Sequence, residues 1–295
     1  MSGKTTVLAF DFGASSGRAV KAVYDGAALS YEEVHRFENC PREKDGRLRW
    51  DFSALMDEVR TGLGKAGAVD SIGFDTWGVD FGLLGKNGTL LEDPVHYRDG
   101  RTAGMVEQAL RTMDARTLYG ATGNQIMAIN TLFQLLAVKE SSNGKVLSEV
   151  WRRAKRLLFM PDLFIHALCG AQVCERTIAS TSQMQDARTG AWDRDVLAAY
   201  RIPERLFAPS VPSGTVVGAL ENGAKVVAVA GHDTQCAVAA LPTQARDTAF
   251  LSCGTWSLLG CELDAPVLTE ESMRLGLSNE LGANGRVNYL KNIIG

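Results

Sequence analysis

No apolar run in the sequence is long enough to span a bilayer. The opening stretch, MSGKTTVLAFDF, has neither the apolar core nor the small-residue cleavage site of a signal peptide. Together these absences predict a cytoplasmic protein. An excess of one charge is also lacking, since 31 Lys+Arg against 34 Asp+Glu leave a net charge of −3. That balance argues against a duplex-DNA binder, which would carry a basic face. It leaves anionic ligands open, because backbone amides hold phosphate without net positive charge. The six cysteines (Cys40, Cys169, Cys174, Cys236, Cys253 and Cys261) include no CxxC pair. Nothing near Cys169 and Cys174, the closest two, completes a zinc set, so reduced and mostly buried thiols are expected. A GxxxxGK[ST] loop is missing as well, which disfavours P-loop chemistry.

What is present suits a soluble α/β protein with a large core and room for two domains: 295 residues, 45% apolar and 22% charged. TTVLAFDF reads as a buried strand, and GRAVKAVY as a second, alternating one. An Asp25-Gly26 turn leads into a third strand, ALSYEEVHRF. Asp51 is placed to cap a helix over 53–66, with Leu55, Val59 and Leu63 on one face. VDSIGFDT follows as a fourth strand, and VDFGLLGKNGTLL folds back at Asn87-Gly88. The order β-β-β-α-β predicts three antiparallel strands, then a helix crossing to a parallel fourth. Residues 100–220 read as a helical insertion, with helices in TAGMVEQALRTMD, NTLFQLLAVKE and PDLFIHALCG and a polar loop, ESSNG. A strand, a Gly-His-Asp-Thr turn and a helix closed by Pro242 return in AKVVAVAGHDTQCAVAALP. DTAFLSCGTWSLLGCEL then repeats the plan of the opening hairpin, which sets a boundary between residues 1–243 and 244–295.

The tip DFGASSGR suits phosphate and a metal ion. Gly13 and Gly17 allow close backbone approach and positive φ, Ser15 and Ser16 add donors, and Arg18 adds charge. Asp11, at the strand end, is placed to hold magnesium through its water shell. A tight hairpin with an Asx-type turn at Asp11 explains the same residues structurally. The second tip, SCGTWS, would clasp a phosphate tail from the other side, with Thr255 as donor. Asp233 is the candidate base, and its alternative role as a helix cap also favours the ionised form. His232 and Thr234 flank it, within reach of a polyol. GFDTWGVDF ends the fourth strand on the sheet edge that would also hold Asp11 and Asp233. There Trp77 either stacks on a sugar or fills core, and Gly78 lets a hydroxyl meet the backbone.

In DFGASSGR, IGFDTWGVDFGLL, YRDGRT, NTLFQL, MPDLF, GHDT, LSCGTWSLLG and YLKNIIG, the chain resembles the FGGY carbohydrate kinases of the actin-like ATPase superfamily. The DTWGVDF and HDT pair is similar to the rhamnulokinase branch of that family. The resemblance implies an α/β fold: an actin-like ATPase (ribonuclease H-like) lobe with a β-β-β-α-β core and helical insertion, plus the start of a second similar lobe. It implies ATP contacts at Ala14, Ser15, Ser16, Gly17, Arg18 and Thr255, and sugar contacts at Gly78, His232, Asp233, Thr234 and Asn292. Asp233 becomes the proton acceptor, with Mg2+ and ATP transferring phosphate to the 1-hydroxyl of L-rhamnulose.

Family members continue into a complete second lobe that holds the adenosine, so the chain is expected to be a fragment with little turnover without a complementing C-terminal lobe. Three other readings stay open. One is a kinase for fuculose or xylulose, and another is a non-catalytic sugar-binding lobe. The third is a two-metal nuclease built on Asp11, Asp75 or Asp80, and Asp233.

Overall fold

The computed structural model describes residues 3–140, 147–243, 245, 248–254 and 256–294. Its larger sheet has six strands. Strands β1 (Thr5–Phe12), β2 (Ser16–Tyr24) and β3 (Leu29–Glu38) form an antiparallel meander. Helix α1 (Phe52–Ala66) then crosses to β4 (Ser71–Thr76), which pairs parallel with β1. Late in the chain, β5 (Thr215–Ala219) and β6 (Lys225–Ala228) join the same sheet, giving the order β5-β6-β4-β1-β2-β3. Strands β6, β4 and β1 run parallel, so their carboxyl ends share one edge.

Local chemistry explains these elements. In β1, Leu8, Phe10 and Phe12 alternate inward and are fully buried. The Asp51 carboxylate accepts from Ala54 N at 3.0 Å and starts α1, which buries Leu55, Met56 and Val59 while Leu63 stays partly covered. Phe10 stacks on Phe74 at 5.0 Å, and Phe12 on Phe164 at 4.4 Å. Each such ring buried contributes about 1.5–3 kcal/mol.

The insertion contains helices α2 (Met105–Leu110), α3 (Ala115–Thr122), α4 (Thr131–Lys139) and α5 (Met160–Cys169). Most of the expected ESSNG loop lies outside the described residues. The fold-back after β4 occurs where expected, with Gly88 at φ 73° and Leu91 N donating to Leu83 O at 2.9 Å.

Beyond helix α6 (Asp233–Ala239), a four-stranded antiparallel sheet forms from β7 (Ala249–Cys253), β8 (Trp256–Leu263), β9 (Leu277–Leu281) and β10 (Val287–Ile294). Its order is β7-β8-β10-β9, so it repeats the first meander only through its opening hairpin. Phe250, Leu258 and Leu290 pack inward beside Val238, while Leu251, Leu259 and Ile293 are exposed. The sheet is tied to the insertion: Asn279 N donates to Gly123 O at 2.9 Å, and Tyr119 Oη to Leu277 O at 3.0 Å.

Three expectations change. The thiols are free, but Cys174 is the one buried cysteine; Cys40 is exposed in the connection after β3, and Cys253 is exposed at a strand end. Neither Gly13 nor Gly17 adopts positive φ. Gly17 is needed for space instead, since a Cβ there would sit 2.2 Å from the Phe37 ring. Asp233 is not a cap but the first residue of α6. The parallel ladder runs on to a Thr76–His232 bridge, which keeps His232 extended and delays the helix by one residue.

Candidate active site

The shared edge of β1, β4 and β6 opens into a cavity of about 710 Å3. Asp11 and Asp75 lie opposite each other in register, and Asp233 follows β6 into the same space. Asp75 is buried, and its carboxyl is held well above the usual carboxylate range, first by burial and then by the charges of Asp11 and Asp233. Asp11 is paired to Arg18, with Nε to Oδ2 at 2.8 Å. Asp80 stands apart from this group. It is fully buried and accepts from Trp50 Nε1 at 2.7 Å, Trp77 Nε1 at 2.9 Å and Gln134 Nε2 at 2.9 Å. Burial lifts its pKa to about 6, against those hydrogen bonds. Trp77 is 5% exposed and packed 4.0 Å from Trp50, so it walls the cavity rather than offering an open face.

The first hairpin tip reaches the cavity through Gly13, Ala14, Ser15, Ser16 and Arg18, while Gly17 packs behind it against Phe37. The tip is closed by Gly13 N donating to Ser16 O at 2.9 Å. Asn39, which the sequence reading missed, pins it from just beyond β3: Nδ2 donates to Gly13 O at 2.7 Å, and its own N to Ser15 O at 3.0 Å. From the second sheet, Ser252, Cys253, Gly254 and Trp256 line the same cavity. Thr255 lies outside the described residues. Both glycine tips therefore border one space.

The Gly231–His232–Asp233 turn is held from below by Glu175. Its Oε2 accepts from Gly231 N at 3.0 Å, Thr177 N at 2.9 Å, Thr177 Oγ1 at 2.6 Å and Ile178 N at 3.2 Å. Its Oε1 accepts from Ser213 Oγ at 2.6 Å. No periodicity or motif in the sequence marks this residue. The Asp233 side chain keeps 39% of its surface, open to the cavity it lines, and Oδ1 accepts from Thr234 N at 2.6 Å. Desolvation raises its pKa above the ordinary value; His232 and Thr234 oppose that, and the Asp11 charge adds to it. Burial alone would lower His232, but Glu280 and then Asp233 outweigh it and bring it to about 8.

Gly78 faces His232 so closely that a Cβ there would lie 3.3 Å from Nε2 and 3.3 Å from Thr181 Cγ2. Next to it, Val79 sits at φ 67°, a strained position for a β-branched residue that costs about 1–3 kcal/mol. Thr234 and Asn292 line the cavity too, with Asn292 Nδ2 3.5 Å from Gln125 Oε1. The cavity thus gathers each of the predicted site residues except Gly17, which supports the first tip, and Thr255.

Among the described residues, no three His, Cys, Asp or Glu side chains are grouped to hold a metal directly. The crowding of Asp75 by Asp11 and Asp233 nonetheless suits a hydrated cation, whose charge would relieve their repulsion. No helix among the described residues is long and apolar enough to cross a membrane.

The model of the N-terminal domain of the FGGY family of carbohydrate kinases matches residues 6–244. The rhamnulokinase of Bacteroides thetaiotaomicron is 40% identical over 305 aligned residues, covering 99% of this chain and 62% of that protein. The rhamnulokinase of Yersinia pestis is 41% identical, covering 98% and 61%. The chain therefore spans about three fifths of the length of these relatives. Among solved structures, gluconate kinase from Lactobacillus acidophilus superposes with a TM-score of 0.81 at 17% identity, over 98% of this chain and 59% of that one. Xylulose kinase from Rhodospirillum rubrum gives 0.81 at 17% identity, over 98% and 61%. At that identity the two structures establish a shared fold and nothing finer. On the family match across most of its length, the chain belongs to the FGGY family of carbohydrate kinases.

Proposed function

We propose that the chain carries the sugar and phosphate sites of a cytoplasmic, ATP-dependent kinase that phosphorylates the 1-hydroxyl of L-rhamnulose. The observation that carries this reading is the single cavity bordered by both glycine tips and by Asp233. The choice of sugar rests on the likeness to rhamnulokinases.

In this reading the tip Ala14–Arg18 and Thr255 hold the ATP phosphates, with backbone amides and hydroxyls as donors. His232, Thr234, Gly78 and Asn292 orient the ketose. Asp233 accepts the proton of the 1-hydroxyl as that oxygen bonds to the γ-phosphorus and ADP leaves. Phosphoryl transfer through a loose transition state depends chiefly on such positioning. Its raised pKa makes Asp233 a stronger base than a solvated carboxylate. A magnesium ion held by Asp11 through water, near Asp75, would neutralise charge on the phosphates.

Residues 1–243 then form the N-terminal lobe and 244–295 the first part of the second. The exposed Leu251, Leu259 and Ile293, on the sheet whose outer strand is β7, suit the packing of a complementing lobe. The test is ADP release from MgATP by the chain with a complementing C-terminal lobe, with L-rhamnulose, L-fuculose and xylulose as acceptors, alongside calorimetry of each sugar on the chain itself. Selective binding and turnover of L-rhamnulose support the reading, and preference for another ketose replaces the substrate. The nuclease alternative draws nothing from Asp80, which is locked to Trp50 and Trp77 away from the other acids, and rests on Asp11, Asp75 and Asp233 alone.

A further inference from the structure

Val79 occupies a backbone conformation that glycine would adopt without strain. Asp80 N donates to Gly78 O at 2.9 Å and closes a three-residue turn around it. Three neighbours enforce the turn. Val79 N donates to Thr181 Oγ1 at 3.1 Å, Thr131 Oγ1 donates to Val79 O at 2.7 Å, and Gln134 Nε2 lies 3.5 Å from that same carbonyl. Gln134 also donates to Ile129 O at 2.7 Å, which draws the segment carrying Met127 and Ile129 towards Val79. Val79, Met127 and Ile129 all line the cavity, and Val79 adjoins Gly78, which faces His232.

This part of the lining is apolar, and the amide donors of Asn130 and Gln134 beside it are already engaged. Asn130 Nδ2 donates to Gln125 O at 2.8 Å and to Gln183 Oε1 at 2.7 Å, and Gln134 Nε2 is held by Ile129 O and Asp80 Oδ1. A hydroxyl brought here would lose its water without gaining those donors, whereas a methyl group would gain contact.

L-Rhamnulose is a 6-deoxyketose, with a terminal methyl at the far end of the chain from its 1-hydroxyl. We propose that Val79 is a specificity-determining residue, which with Met127 and Ile129 seats the terminal methyl of a 6-deoxyketose and disfavours sugars hydroxylated at that carbon. This rests on the reading that the cavity binds L-rhamnulose.

The test is calorimetric titration of the chain and of Val79→Gly with L-rhamnulose and with L-fructose, the same sugar bearing a 6-hydroxyl. Glycine is at ease at this φ, which offsets the lost burial of the Val79 side chain, so the variant is expected to stay folded with a melting temperature near the parent's, and a change in selectivity reports the lost side chain. The parent should prefer L-rhamnulose on the order of 10–100-fold, the range an apolar pocket gives against an added hydroxyl. Val79→Gly should narrow that preference roughly fivefold or more through lost methyl contact. Equal affinity of the parent for both sugars, or an unchanged ratio in the variant, overturns the methyl seat and leaves the kinase reading standing. Binding of neither sugar by the parent overturns both.

Discussion

His232 stands between two carboxylates, one from the second sheet and one from a helix: Nδ1 lies 3.0 Å from Glu280 Oε2 on β9, and Nε2 lies 3.4 Å from Asp233 Oδ1 on α6. Glu280 also accepts from Gln235 Nε2 at 2.8 Å, and Gln235 Oε1 in turn accepts from Asn288 Nδ2 on β10. The orientation of the base turn is thereby linked to the docking of the second sheet.

Replacing Glu280 by Gln keeps an acceptor for Gln235 but removes the charge. The His232 midpoint, near 8 with Glu280 present, should then fall, because burial is left opposed chiefly by Asp233. Histidine ring NMR across pH reads this directly. The folded value exceeds the unfolded one of about 6.5, so the stabilisation is complete below that pH and is lost as pH rises through 8. Thermal melts of the parent should therefore drop between pH 6.5 and 8, and those of Glu280→Gln should drop less. An unmoved His232 midpoint would rule out Glu280 as the source of the shift.

Asp233→Asn tests the base. The amide keeps the side chain's shape and cannot accept the proton, so in the chain joined to its complementing C-terminal lobe phosphorylation should fall roughly 10²–10⁴-fold while the melting temperature holds. In the parent, rate should rise with pH as Asp233 ionises. That rise should lie above the usual carboxylate range, because burial lifts the group. A variant with parental turnover and the same acid limb would exclude Asp233 as proton acceptor.

Glu175→Ala should act on the same turn from beneath. The carboxylate satisfies donors from Thr177, Ile178, Gly231 and Ser213, and its loss leaves several of them buried without partners. A cost of about 3 kcal/mol or more follows in urea unfolding. Glu175→Gln, which retains an oxygen acceptor, should recover part of that loss. Equal stability of parent and both variants would show that the network contributes nothing.

Much of the scaffold was legible because its signals are local. Alternation in Leu8, Phe10 and Phe12, the Asp51 cap and the Asn87-Gly88 turn each act within a few residues, and each appears as read. The support of the site was not legible. Glu175 meets Gly231 across 56 positions, and Gln235 meets Glu280 across 45, with no periodic pattern to announce either contact. Asp233 was misread as a cap because the local rule takes no account of β4, whose Thr76 holds His232 in extended form. Gly17 was read as allowing close backbone approach to a phosphate and a positive φ, whereas it has no positive φ and makes room for the Phe37 ring.

That distinction is measurable. At Gly17 an added Cβ would meet Phe37 Cζ at 2.2 Å, and the ring is confined, buried and edge-on to Phe12 at 5.3 Å. At Gly13 the nearest atom to an added Cβ is Ser16 O at 3.1 Å, so a small shift of the tip relieves it. Gly17→Ala should therefore lose about 1–3 kcal/mol in urea unfolding, as overpacking does, and Gly13→Ala distinctly less. The ranking follows from contact distance, since neither residue uses a left-handed φ. If Gly13→Ala proved the more damaging, with Gly17→Ala near parental, the tip would be governed by its backbone turn rather than by the Phe37 ring.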